Sequence, residues 1–205
     1  MTVASDADLF HTHFSNLGLI PATAARGYHH MGAVLVDSAL QPHTNYDLVV
    51  APRVRRLVLG WPDATTTTLF AQRMASEDIS RVLPWNGATK LRVLREITNV
   101  MITLKVDTVD DLYFHYVDPA RVRRTREKLR AIHGVGPKTV DYLAILAGVR
   151  EHAAIDTRLI NFAVEAGIAN HSYDFLSEVM RNVAIRLGCG ARDLDSAVWH
   201  YMGTK

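Results

Sequence analysis

A single cysteine, Cys189, stands among 205 residues, and an intramolecular disulfide needs two. The same count excludes a four-thiolate zinc or iron-sulfur site within one chain. No stretch approaches the roughly 20 uninterrupted apolar residues of a membrane-spanning helix. The longest candidate, Met31 to Val36, reads as a short buried segment. The opening Met1-Thr-Val-Ala-Ser-Asp6 lacks the basic-then-apolar pattern of a secretory signal. With one thiol, that leads us to expect a reducing cytoplasm as the compartment, nucleoid-associated in a bacterium. Walker loop, nucleophile elbow and dinucleotide fingerprint are all missing. Ten histidines invite a metal reading, yet His11-x-His13 and His29-His30 lack carboxylate or thiol partners and the i, i+4 spacing of a helical zinc site, so we read them as structural or exposed.

What is present is an ordinary globular composition, 48% hydrophobic and 21% charged, in a chain long enough for one sizeable domain or two small ones. The dominant period is helical. Leu94, Ile97, Met101 and Leu104 line one face of a helix, as do Phe175, Val179, Val183 and Leu187 of another. Pro21, Pro119 and Pro137 stand where a first-turn proline starts a helix, and Gly148, Gly167 and Gly188 where a C-terminal cap ends one. The pattern predicts helices near 5–17, 21–39, 46–59, 66–75, 77–83, 88–104, 108–116, 119–131, 137–147, 157–167, 173–187 and 191–202, two of which could be mere turns. Pro52 should split or kink the third. The threonine run 65–68 reads as a loop with a helix N-cap. Trp199, Phe175 and Phe162 read as core.

The net charge of +2 conceals a concentration. Asp118 to Arg130 reads DPARVRRTREKLR, six basic residues against two acidic, which leaves 17 basic and 19 acidic residues elsewhere out of 23 and 21. A +4 helix is either a solvated face or an electrostatic footprint for nucleic acid. Immediately after it the chain runs Ala131-Ile-His-Gly-Val-Gly-Pro-Lys-Thr-Val140. Two glycines let the backbone turn sharply and approach a ligand closely. The start of the next helix offers free amides to an anion, for which a backbone phosphate is the natural candidate.

These residues, LRAIHGVGPKTVDYL from Leu129 to Leu143 and AAIDTRLINF from Ala153 to Phe162, resemble the helix-hairpin-helix DNA glycosylases, closest to the endonuclease III-like branch. Lys138 and Asp156 are 18 residues apart, similar to that branch. The strong likeness covers about 118–162. Weaker echoes lie at Leu83 to Leu91 and at Ala197-Val-Trp199.

The resemblance implies an all-α, two-lobed fold: a six-helix barrel over 46–156 containing the helix-hairpin-helix at about 119–147, and a second lobe from 1–45 and 157–205. It implies a monomeric base-excision enzyme for double-stranded DNA bearing a damaged base or abasic site, with the target nucleotide flipped from the stack. Lys138 would attack C1′ and form a Schiff base that permits strand cleavage by β-elimination. Asp156 would stabilise positive charge on the sugar. Arg130, His133, Gly134, Val135, Gly136 and Thr139 would meet DNA. No further cofactor is implied beyond a monovalent cation at the carbonyls of Arg130, Ile132 and Val135.

Other readings stay open at each position. Lys138 could contact phosphate only, Asp156 could be a plain helix cap, and Asp141 is better read as a solvent or packing residue than a catalytic one. The chain could also be a monofunctional glycosylase in which Asp156 activates water, or a catalytically silent DNA-binding module. It departs from the pattern twice: the iron-sulfur cluster of many relatives has no ligands here, and His133 replaces the proline usual before the hairpin. DNA-wedging side chains would be sought near Trp61 to Thr68.

Overall fold

The computed structural model describes residues 2–22 and 27–205. The described residues form twelve α-helices and one π-helical turn, with no strand among them, so the protein is all-α. In chain order the helices are α1 (Val3–Asn16), α2 (Met31–Leu40), α3 (Ala51–Gly60), α4 (Thr67–Ser76), α5 (Ile79–Val82), α6 (Ala88–Leu104), α7 (Val109–Val117), α8 (Pro119–Arg130), α9 (Pro137–Leu146), α10 (Thr157–Glu165), α11 (Tyr173–Arg186) and α12 (Ala191–Gly203).

The chain divides into two compact units, one formed by Met1–Ala25 with Val149–Lys205 and the other by Arg26–Gly148. The first is built around Phe162 of α10, whose ring centre lies 4.9 Å from that of Phe10 and 6.2 Å from that of Tyr201. Leu176, Val179, Met180 and Val183 of α11 complete this core with Leu194 and Val198 of α12. Phe175 and Leu187, in register with Val179 and Val183, are only partly buried at its edge, and Trp199 is half-buried with the Arg158 guanidinium 4.1 Å from its ring centre.

The second unit is organised by α2, all ten residues of which are buried. It packs on α3, α4, α6 and α9, so it belongs with the 26–148 unit, and the units divide earlier along the chain than at 45 and 156. From α6, Leu94, Ile97 and Met101 are completely buried. Each apolar side chain of that size contributes about 1.5–3 kcal/mol of burial.

Pro21 does not begin a helix. Of the expected 21–39 segment, 23–26 lie outside the described residues, Pro21 and Ala22 are irregular, and the Ala22 N–H bonds to the Asp193 carbonyl at 3.0 Å. The helix starts at Met31 because His30 caps it: Nδ1 accepts from the Ala33 amide at 3.1 Å while Nε2 donates to the Trp61 carbonyl at 3.0 Å. Pro52 has the expected effect. It lacks the N–H that would continue an α-helical ladder, and the chain enters α3 through a π-helical turn, Tyr46–Val50. Thr66 caps α4 by accepting from the Leu69 amide at 3.2 Å. Gly148 and Gly167 follow α9 and α10 with φ of +95° and +83°, the left-handed cap conformation.

The Trp61–Thr68 loop presents no wedge of the expected kind. Trp61 is 1% exposed and packs edge-on against Phe70, and its Nε1 donates to Glu77 Oε2 at 3.0 Å. The loop's exposed residues are Pro62, Asp63, Thr65 and Thr68.

Candidate nucleic-acid interface

The basic segment is a regular helix. Asp118 Oδ1 accepts from the Ala120 amide at 2.8 Å, Pro119 occupies the first turn, and Thr125 and Leu129 form the buried face. Thr125 Oγ1 meets His115 Nδ1 at 3.1 Å. Burial holds the His115 imidazole below its ordinary pKa, and the Arg121 guanidinium adds to the effect.

Three of the six basic side chains are engaged by neighbouring carboxylates. Arg121 pairs with Asp118 at 3.0 Å, Arg123 lies 3.8 Å from Glu127, and Arg126 crosses to the buried Asp141 of α9. Asp141 is therefore a helix-packing residue. Arg124, Lys128 and Arg130 make no ion pair among the described residues, and Arg124 and Arg130 are exposed. The positive charge left over is concentrated at the end of α8 that leads into the turn.

That turn, 131–136, is built from its glycines. The Val135 amide donates to the Ile132 carbonyl at 3.0 Å and closes a four-residue turn whose third residue, Gly134, has φ +95°. Ile132 and Val135 are buried and anchor it, while His133 and Gly134 face solvent. Arg92 of α6 donates from Nη2 to the His133 carbonyl at 2.9 Å, and Glu96 accepts from its Nη1 at 2.7 Å. Gly136 is the N-cap of α9, and a Cβ placed there would meet no atom within 4 Å. Pro137, Lys138 and Thr139 then form the first turn, with Thr139 buried and Lys138 half-buried. The N-cap of α9 is a glycine, so the start of this helix has no side-chain cap.

Asp156 lies in the other unit, where it caps α10 by accepting from the Leu159 amide at 3.1 Å. The turn thus brings Arg130, His133, Gly134, Val135, Gly136, Lys138 and Thr139 together along one stretch of the 26–148 unit.

Two further features belong to that unit, the first without a sequence signal and the second within the Leu83–Leu91 segment. Asp37 of α2 is completely buried, with Oδ2 accepting from the Tyr28 hydroxyl at 2.9 Å and Oδ1 from the Tyr142 hydroxyl at 3.0 Å, and Tyr46 lies 3.4 Å from Tyr28. Burial pushes its carboxyl up to about 6 even though the two tyrosines oppose the change. Both oxygens are satisfied, which makes this a fixed polar network able to take up a proton near neutrality. The second feature is Lys90, whose ammonium donates to the carbonyls of Leu40 and Pro42 and to Thr44 Oγ1 beyond the end of α2 and lies over the Trp85 ring. Burial brings its pKa down to about 8 despite those three acceptors.

Among the described residues no three His, Cys, Asp or Glu side chains are placed to hold a metal ion, and no helix is long and apolar enough to cross a membrane. No curated protein and no solved structure matches the chain. A family model does match, the one described as Domain of unknown function (DUF8548), over residues 63–203. That span runs from the loop before α4 to the last residue of α12 and includes the whole α8–α9 turn, and on this match the chain belongs to the DUF8548 family.

Proposed function

We propose that this protein is a DNA repair glycosylase with associated lyase activity, of the helix-hairpin-helix fold. The observation that carries the reading is the α8–α9 turn: a helix with exposed arginines runs into a glycine turn, and a second helix with a glycine N-cap follows directly with Lys138 at its second position. The positive end of a helix that starts on a glycine suits a phosphate, and the arginines add sequence-independent attraction to duplex DNA.

In this reading the Lys138 nitrogen adds to C1′ of a flipped nucleotide, and the proton it gives up leaves with the base. The glycosidic electron pair leaves with the base, and Asp156 stabilises the cationic sugar. Opening of the sugar ring gives a Schiff base, and loss of a C2′ proton expels the 3′ phosphate by β-elimination. The carbonyls of Arg130, Ile132 and Val135 supply neutral oxygen donors suited to an alkali cation, since the Ile132 oxygen keeps a second lone pair after closing the turn.

Borohydride trapping on duplex DNA with an abasic site tests the proposal. A covalent adduct that disappears in Lys138→Ala is expected. Base release without an adduct would replace the lyase by a monofunctional glycosylase, and neither signal over a broad lesion panel would leave a DNA-binding module.

A further inference from the structure

The Ile132–Val135 turn is of the type that needs a positive φ at its third residue, and Gly134 supplies it with φ +95°. Such a turn is usually fixed by a proline at its second residue, which locks φ before the glycine. Here the second residue is His133, and its ring imposes no such lock. The alternative turn differs mainly by a flip of the peptide between the second and third residues, so the direction of the His133 carbonyl distinguishes the two.

That carbonyl is the one Arg92 holds. Arg92 reaches it from α6, 41 residues away in sequence, with Nη2 at 2.9 Å, and Glu96 orients the guanidinium through Nη1. The contact is charge-assisted and stronger than a neutral one. A trans peptide points its C=O and N–H to opposite sides. Holding the His133 oxygen against α6 therefore turns the Gly134 N–H outward, on a segment where His133 and Gly134 are both exposed.

Resting on the DNA-binding reading above, we propose that Arg92 is a positioning residue: its guanidinium straps the His133 carbonyl, selects the turn and aims the Gly134 amide at a nucleic-acid phosphate. The role belongs to the Arg92–Glu96 pair rather than to the turn's own sequence. It also separates Arg92 from Arg124 and Arg130 of α8, whose proposed contribution is long-range charge.

Two measurements on the full chain test this. Nuclear magnetic resonance of the protein without DNA reads the turn directly: the turn with a positive φ at its third residue holds the His133 Hα close to the Gly134 N–H, and a flipped peptide separates them while the Ile132–Val135 bond persists. In Arg92→Met that strong His133 Hα–Gly134 N–H cross-peak should weaken, with the rest of the 26–148 unit unchanged, and Arg92→Lys should restore most of it. An unchanged cross-peak, or changes throughout the unit, would overturn the strap. Binding to a duplex carrying a tetrahydrofuran abasic analogue, followed over a salt series, reads the consequence. Arg92→Met should weaken binding about tenfold with the same salt dependence, and Arg92→Lys should recover most of the affinity. A slope shallower by about 0.9, one phosphate's worth, would make Arg92 a direct phosphate contact and overturn the positioning role, as would unchanged affinity. Absence of any duplex binding by the unsubstituted protein would sink the proposed function, while the resonance measurement would still decide the strap.

Discussion

The Tyr142 hydroxyl of α9 donates to Asp37 of α2 at 3.0 Å across 105 residues of sequence. It joins the helix that opens with Pro137-Lys138 to a helix with every residue buried. Lys138 and Tyr142 are four residues apart and so share one face of α9, which places the network one helical turn beneath the proposed nucleophile.

That network makes stability depend on pH. The folded carboxyl titrates near 6, above its ordinary 3.8, so between those values the folded state holds a proton the unfolded chain has lost. Stability from this group is therefore fully present below about pH 4 and is lost as pH rises through 6, on the order of 3 kcal/mol in all. Asp37→Asn removes the titration. Denaturant midpoints measured from pH 4 to 7 should show the unsubstituted protein losing stability relative to the variant as pH rises, and parallel curves would contradict the assignment.

Gly136 separates folding from binding. Its φ of −90° and ψ of 174° suit any residue, and a Cβ there touches nothing in the protein. Gly136→Ala should change the unfolding free energy by less than about 0.5 kcal/mol. Because the methyl group would stand in the open space at the start of α9, duplex affinity should nevertheless fall severalfold. Unchanged affinity in an anisotropy titration would show that DNA does not approach this point.

The cap that Asp156 provides for α10 is separable from the catalytic role proposed for it. Asn serves as well as Asp at an N-cap, so Asp156→Asn should melt as the unsubstituted protein does while borohydride-trapped adduct falls a hundredfold or more. Asp156→Ala should lose both, with a stability loss of about 1 kcal/mol. Full trapping activity in the Asn variant would reduce Asp156 to a cap.

Lys90 holds carbonyls that α2 cannot satisfy for itself. Lys90→Met leaves the Leu40 and Pro42 oxygens without that donor, and the expected destabilisation is about 2–3 kcal/mol. Equilibrium urea unfolding checks this. A change below about 0.5 kcal/mol would mean that water replaces the lysine.

Local chemistry made much of this architecture readable. The span of α6 follows from the spacing of Leu94, Ile97 and Met101, and the starts of α8 and α9 follow from Pro119 and Pro137, because both signals act within a few residues. Pro21 misled for the converse reason: whether its segment coils depends on the Ala22 bond to Asp193, a distant partner. Asp37 was hidden in the same way. An aspartate inside Met31-Gly-Ala-Val-Leu-Val-Asp37 gives no sign that Tyr28, Tyr46 and Tyr142 will surround it. The strap from Arg92 to His133 is a helix-to-turn contact that no periodicity encodes.

The first unit is made from both ends of the chain, and its α1 is tied to α11 through Arg186, which pairs with Asp8 and reaches the Ala4 carbonyl at 3.3 Å. Arg186 and Asp8 are separated by 178 residues. At 5–20 residues per second, α1 waits roughly ten to forty seconds on the ribosome for the helix that covers Phe10 and Phe14. The 26–148 unit, continuous in sequence, can close during that interval. Synthesis itself thus orders assembly, and the exposed apolar face of α1 is the segment of the nascent chain most in need of protection.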